Sequence, residues 1–222
     1  VSLFITYILV TLMLYTWKNR TVLGARFFLL TLILAEIWIA GQALELAALD
    51  LPTKIFWANI EYIPITLMSV TYFYLTLVFT RHDSWLKSRW VFLALLIVPI
   101  IVNILVWTND IHGLIRQNVF LDSSGSFPTV GKTYGPAFRA FAVYNYAIAI
   151  LTLIILANGY REKVSLYRKQ ISLLFVALFL PVLSNILQVT GLNPFRVDIT
   201  PPVIGLSALI ISWGIFRYLL FD

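Results

Sequence analysis

Val91-Phe92-Leu93-Ala94-Leu95-Leu96-Ile97-Val98-Pro99-Ile100-Ile101-Val102-Asn103-Ile104-Leu105-Val106-Trp107 is a run of seventeen residues without a charged side chain. As a helix rising about 1.5 Å per residue it covers about 25 Å, close to the roughly 30 Å of hydrocarbon in a bilayer. It is apolar all round, whereas a surface helix of a soluble domain carries a polar face. Basic residues precede it (Arg81, Lys87, Arg89) and the polar Thr108-Asn109-Asp110 follows, so water resumes at both ends. The run reads as a transmembrane helix.

Working outward, six further blocks of this kind appear. The expected spans are 2–17, 27–47, 55–80, 91–107, 136–156, 171–189 and 199–216, in a single domain of 222 residues. The fold class expected is an all-α, seven-helix transmembrane bundle. The Asp50-Leu51-Pro52 turn separates spans two and three, with proline suited to the first turn of the next helix. Pro181, Pro201 and Pro202 can free backbone carbonyls and kink their helices, which permits a hinge in spans six and seven. No internal repeat is visible. Composition agrees: 60% of residues are hydrophobic and 12% charged, where a soluble domain has about half and about a quarter. The first block ends in Trp17-Lys18-Asn19-Arg20 without a small-residue cleavage site and reads as a retained helix rather than a signal peptide.

Charge distribution sets the orientation. Lys18, Arg20, Arg26, Arg81, Lys87, Arg89, Arg161, Lys163, Arg168, Lys169 and Arg217 fall at one end of the expected bundle; Lys54, Arg116, Lys132, Arg139 and Arg196 fall at the other. Eleven against five puts the first set in the cytoplasm, the N-terminus outside and the C-terminus inside. The net charge of +6 thus reads as cytoplasmic anchoring rather than nucleic-acid binding. Trp17, Trp85, Trp90, Trp107 and Trp213 all lie near span ends, as an aromatic belt requires. Between spans four and five, Asn118-Val119-Phe120-Leu121 and Phe127-Pro128-Thr129-Val130 flank Asp122-Ser123-Ser124-Gly125, the pattern of a short extracellular β-hairpin over the outer mouth.

Ionisable groups within the bilayer cost about 2.5–3.5 kcal/mol each on insertion scales, so they have partners or tasks. Helical spacing puts Trp38, Gln42 and Glu45 on one face of span two, and Trp57 with Glu61 on one face of span three. Arg139 and Tyr146 share a face of span five, Pro181, Ser184, Asn185 and Gln188 one of span six, and Asp198, Pro202 and Gly205 one of span seven. Most lie in the expected outer half, which predicts a polar cavity open to the outside. The candidate ligand-binding residues are Glu45, Trp57, Glu61, Arg139, Tyr144, Asn185, Gln188 and Asp198. A structural ion pair between Glu61 and Arg139 and interhelical packing by Ser184, Asn185 and Gln188 stand beside that reading. Glu36 points away from this face and receives no role.

Absences narrow the function. With no cysteine there is no disulfide or thiolate chemistry, and no lysine within an expected span offers a Schiff base. His82 and His112 fall on opposite sides, and no phosphate loop, nucleophile elbow or HExxH is present, so neither metal, cofactor nor catalytic residue is expected. His112, in Thr108-Asn109-Asp110-Ile111-His112-Gly113, reads as a loop residue.

Several motifs in fixed order resemble the N-terminal seven-helix sensor region of bacterial membrane histidine kinases, also found ahead of PAS and diguanylate cyclase modules. They are Leu44-Glu45-Leu46 with Leu51-Pro52-Thr53-Lys54-Ile55-Phe56-Trp57 and Glu61-Tyr62, then Trp107-Thr108-Asn109 with His112-Gly113. Gly135-Pro136-Ala137-Phe138 with Tyr144 and Tyr146 follows, then Tyr167-Arg168 with Gln170, Pro181 and Asn185. Asp198-Ile199-Thr200-Pro201 and Trp213-Gly214-Ile215-Phe216-Arg217-Tyr218 complete the set. The resemblance implies a non-catalytic receptor domain in the cell membrane. It would bind a small extracellular or membrane-derived ligand and signal through Trp213, Arg217 and Tyr218 to a kinase or cyclase module following Asp222. It further implies a homodimer in the intact protein, with membrane lipids as surroundings and no nucleic-acid partner. Two rivals remain: a transporter or carrier, which calls for an internal repeat or paired broken helices, and a structural anchor that dimerises the output module.

Overall fold

The structure is a computed structural model that describes residues 2–22, 24–124, 128–162, 165–192, 194 and 198–219, the side chains of 2, 162, 165–167 and 215–219 excepted. In chain order its elements are α1 (Ser2–Lys18), α2 (Ala25–Ala47), α3 (Leu51–Thr80), the single turn α4 (Asp83–Leu86), α5 (Arg89–Trp107) and the single turn α6 (Asn109–His112). Strands β1 (Arg116–Asp122) and β2 (Thr129–Tyr134) come next, then α7 (Pro136–Glu162), α8 (Ser165–Val189) and α9 (Thr200–Leu219). Among the described residues, α2, α3, α5, α7 and α8 are long and apolar enough to cross a membrane, and α1 and α9 are apolar over shorter lengths. The chain is a membrane-embedded helical protein with one small antiparallel sheet.

α3 is the axis of the bundle. Within its most apolar stretch 78% of residues are buried, against 17% for α5. The difference shows directly on α5, where Leu93, Ile97, Ile100 and Ile104 recur at helical spacing and are all exposed. Such a stripe is stable only against lipid. The five tryptophans near helix ends, Trp17, Trp85, Trp90, Trp107 and Trp213, are exposed as well, while Trp38 is buried. Most of the helix–helix core is one cluster in which Leu9, Phe28, Leu32, Leu75, Leu156, Ile171, Ile204 and Ile211 join α1, α2, α3, α7, α8 and α9.

α3 starts where the sequence has its stop signal. The Asp50 side chain accepts the Thr53 backbone N–H at 2.8 Å, and proline occupies the first turn. Pro201 and Pro202 also fall in a first turn, that of α9, where no earlier carbonyl loses a partner. In span seven these prolines thus mark a helix start, and Pro181 alone of the three lies inside its helix.

The hairpin lies between α5 and α7, with longer arms than expected: β2 runs on to Tyr134, and pairing extends from Arg116↔Tyr134 to Asp122↔Thr129. Residues 125–127 of the expected turn and arm lie outside the described residues. A register irregularity between Gln117 and Phe120 coincides with Asn118 at φ 49°, a left-handed conformation that asparagine tolerates better than most residues.

The loop motif around His112 is a latch for this hairpin. Asn109 Oδ1 accepts the backbone N–H groups of Ile115 and Arg116 at 2.9 and 3.0 Å, and its Nδ2 donates to the Arg116 carbonyl at 2.9 Å. His112 Nδ1 accepts the Leu114 N–H at 3.0 Å while Nε2 meets Thr108 Oγ1 at 3.1 Å. At the other arm, Gly135 and Ala137 donate their N–H groups to the Ile115 and Leu114 carbonyls, both at 2.9 Å. A Cβ on Gly135 would sit 2.3 Å from the Leu114 carbonyl oxygen, so this crossing admits only glycine.

Candidate functional site

At the hairpin end of the bundle, α2, α3, α8, the start of α9 and strand β2 enclose a polar cavity of about 170 Å³. That holds several waters or a small molecule and is below the roughly 300–1,000 Å³ typical of drug-sized ligands. Three carboxylates line it, Glu45 from α2, Glu61 from α3 and Asp198 ahead of α9, together with Lys132 from β2. Gln42, Asn185 and Gln188 add neutral polar groups. Tyr62, Tyr134 and Phe138 supply the aromatic wall.

Each side chain is positioned by a local cause. Gly41 lets α2 approach α3 closely: a Cβ there would lie 2.8 Å from Glu61 Cγ. Glu61 is consequently buried, with Oε1 unpartnered among the described residues. Asp198 Oδ1 accepts the Thr200 N–H at 2.8 Å, which fixes the carboxylate at the mouth of α9. Its backbone carbonyl receives Gln42 Nε2 at 2.7 Å. Lys54, fully buried in the first turn of α3, donates to the Glu45 carbonyl at 2.7 Å and so caps the last turn of α2.

Lys132 reaches the cavity because the hairpin is anchored on α3. Buried Arg116 of β1 donates to Asn59 Oδ1 and lies over the Tyr62 ring, 5.5 Å from its centroid. Tyr134 stacks on Phe138 with centroids 3.8 Å apart, tying β2 to α7. Burial is the main influence on the Lys132 ammonium and holds it below the usual lysine range; Glu45, Glu61 and Asp198 pull the other way. Burial likewise pushes the Asp198 carboxyl up, against the smaller opposing effects of the Thr200 hydrogen bonds and the Lys132 charge.

Five of the eight candidates, Glu45, Glu61, Asn185, Gln188 and Asp198, share this cavity. Arg139 does not. It is exposed on α7 and borders a separate groove with Thr133 and Ala142, so the cation facing Glu61 is Lys132. Helical spacing had put Arg139 at the right height, but a one-residue step along α7 turns it about 100° from Phe138, which does face the cavity. Trp57 packs edge-on against Phe56, centroids 5.3 Å apart. The Tyr144 hydroxyl donates to the Leu95 carbonyl at 2.5 Å and joins α7 to α5. Glu36 is half-buried with Oε2 unpartnered among the described residues. Trp213 is exposed on α9, and the side chains of Arg217 and Tyr218 lie outside the described residues.

Lys132 and Gln42 are among the lining residues that sequence reasoning left out of the site, as are Tyr62, Tyr134 and Phe138. Gln42 shares a helical face with Glu45, which was signal enough; Lys132 needs the fold of the hairpin. Among the described residues no group of three His, Cys, Asp or Glu side chains could hold a metal ion.

The model of the N-terminal 7TM region of histidine kinase matches residues 1–222. The chain belongs to that family. Among curated proteins none matches the sequence. As the membrane sensor region of a histidine kinase, the domain gathers its buried charges at one end of the bundle and its basic loops at the other. The motifs behind the resemblance now divide by role. Asn109, His112 and Gly135 build the hairpin latch, Leu51-Pro52 starts α3, and Glu45, Glu61 and Asp198 line the cavity.

Proposed function

We propose that this domain is a receptor whose hairpin end faces outside, with seven transmembrane helices, and that a small polar ligand binds in the cavity of Glu45, Glu61, Lys132 and Asp198. Three carboxylates against one lysine favour a solute that carries positive charge. The single observation behind this reading is that Asp198, on the threshold of α9, shares one cavity with α2, α3, α8 and the hairpin. A ligand there touches the last helix of the domain and the cover together. One that binds two helix arrangements with different affinity shifts their populations, and α9 carries the shift toward a cytoplasmic output module.

The test uses the intact kinase in vesicles. A panel of small amines, amino acids and polyamines is screened by thermal shift, and the strongest hit is then scored by autophosphorylation. Glu61→Gln and Lys132→Met are expected to shift the response at least tenfold in ligand concentration, about 1.4 kcal/mol of binding. Arg139→Gln, outside the cavity, is expected to leave it unchanged. Wild-type responses in both cavity variants would remove the ligand from this site.

A further inference from the structure

The end of the bundle opposite the hairpin carries an open groove of about 500 Å³, where the turn after α1, the start of α2, the end of α3 and α4 come together. Three guanidinium groups line it: Arg20 from the turn after α1, Arg26 from the first turn of α2 and Arg81 at the end of α3. They face one carboxylate, that of Asp83 in α4. All four residues are exposed, whereas Val78 is buried and Phe27 and Leu86 are half-buried. The charges therefore form the rim and apolar groups the floor.

Helix ends account for only part of this cluster. α1 and α3 present carbonyl ends, which attract cations. Arg20 donates one N–H to the Trp17 carbonyl at 3.3 Å and lies over the Trp17 ring, 5.0 Å from its centroid. A guanidinium has five N–H donors, so most of the fork is left for another acceptor. Arg26 has the opposite setting. It lies in the first turn of α2, where the helix dipole disfavours a cation, and Gly24 at the cap supplies no side-chain acceptor. Three positive groups against one negative, at a positive helix end, call for an anion.

The surroundings give the class of that anion. Arginine forks match the oxygens of a phosphate, which accept two N–H groups side by side. Trp17 and Trp85 are exposed beside the groove, and indoles sit at the head-group level of a bilayer. From Arg26, the exposed Leu30 and Ile33 follow at helical spacing along α2 toward the middle of the membrane. A phosphate at the rim thus continues directly into an apolar face, which a soluble anion would leave unused. We propose that this groove holds the phosphate of an anionic glycerophospholipid, with an acyl chain lying along Leu30 and Ile33. The lipid ties the α1–α2 turn to the end of α3, at the opposite end from the polar cavity and independently of any ligand there.

The experiment uses the intact kinase in detergent with equal amounts of phosphatidylglycerol and phosphatidylcholine of the same chains, and native mass spectrometry counts the lipids retained. A basic residue near the surface favours an anionic lipid by about fivefold, so a wild-type preference of about tenfold is expected to fall to near parity in Arg20→Gln/Arg26→Gln. Lys87→Gln/Arg89→Gln removes the same charge at the same end but outside the groove, and is expected to leave the preference unchanged. Equal loss in both double variants shows a diffuse field and overturns the site. Displacement of the lipid by excess inorganic phosphate overturns the lipid assignment in favour of a soluble anion. A second measurement needs no variant: phosphatidylglycerol carrying a diazirine at the head end of one chain, in nanodiscs, is expected to label α2 around Leu30 and Ile33 on irradiation. Labelling no stronger there than on other exposed faces, such as Ile154 of α7 and Val176 of α8, overturns the proposal.

Discussion

Gln42 Nε2 lies 2.7 Å from the backbone carbonyl of Asp198 and donates to it across 156 residues of sequence. The bond links the buried face of α2 to the segment that starts α9. Gln42 and Asp198 both line the polar cavity, so whatever occupies the cavity sits beside this link. It ties α2 to the segment that leads into the last helix.

Gln42→Leu keeps the packing volume and removes the donor. The expected cost is about 0.5–1.5 kcal/mol of stability, seen as a lower Tm in detergent. In the intact kinase the same variant is expected to weaken the coupling between thermal-shift ligands and autophosphorylation. An unchanged response with an unchanged Tm would mean that the Gln42 bond carries nothing.

The hairpin is held to α3 by the Arg116–Asn59 hydrogen bond and the Tyr62 ring. Asn59→Leu leaves a buried guanidinium short of an acceptor, and about 1–3 kcal/mol of destabilisation is expected. Because the loss is local, amide hydrogen exchange should quicken in β1 and β2 before it does in α3. Uniform acceleration across the bundle would contradict the anchoring role.

α1 meets α9 at a close approach: a Cβ on Gly205 would lie 2.4 Å from Ile5 Cγ2. Gly205→Ala is expected to cost about 1–3 kcal/mol through overpacking. Ile5→Ala removes the colliding methyl, so the double variant should recover most of that loss relative to Ile5→Ala alone. A double-mutant cycle on Tm measures it, and simple additivity would show that the two helices do not press together there.

Asp198 supplies a pH dependence of definite sign. Burial raises its carboxyl above the usual aspartate range, so the folded state holds the proton more tightly than the unfolded chain. Its contribution to stability is full in acid, below the unfolded value, and is lost as pH rises through the raised one. Asp198→Asn keeps an oxygen to accept the Thr200 N–H and cannot ionise. Above the usual aspartate range the wild-type Tm is therefore expected to fall relative to the variant as pH rises, the two curves meeting at the acid end. Parallel curves would show that Asp198 titrates as a free carboxylate.

The sequence by itself determined that the chain is built of long apolar helices. Runs such as 91–107 have no other stable state in lipid, because each backbone hydrogen bond must close within the segment. Two paired strands lie in the stretch where apolar arms around a polar turn suggested a hairpin, with β2 running on to Tyr134. Helical period put Glu45, Glu61, Asn185 and Gln188 on polar faces, and these four line one cavity together with Asp198, which lies ahead of α9. What only the tertiary structure decided is which cation meets those carboxylates. Arg139 and Lys132 are equally near the hairpin end in sequence, but the angular position of α7 and the anchoring of β1 on Asn59 leave the first exposed outside the cavity and bring the second inside. Pro201 and Pro202 teach the same lesson, since a proline breaks a helix or begins one according to where the helix starts. Rotation about a helix axis and the docking of a hairpin are set by contacts far apart in the chain, such as Gln42 with Asp198, and no local pattern encodes them.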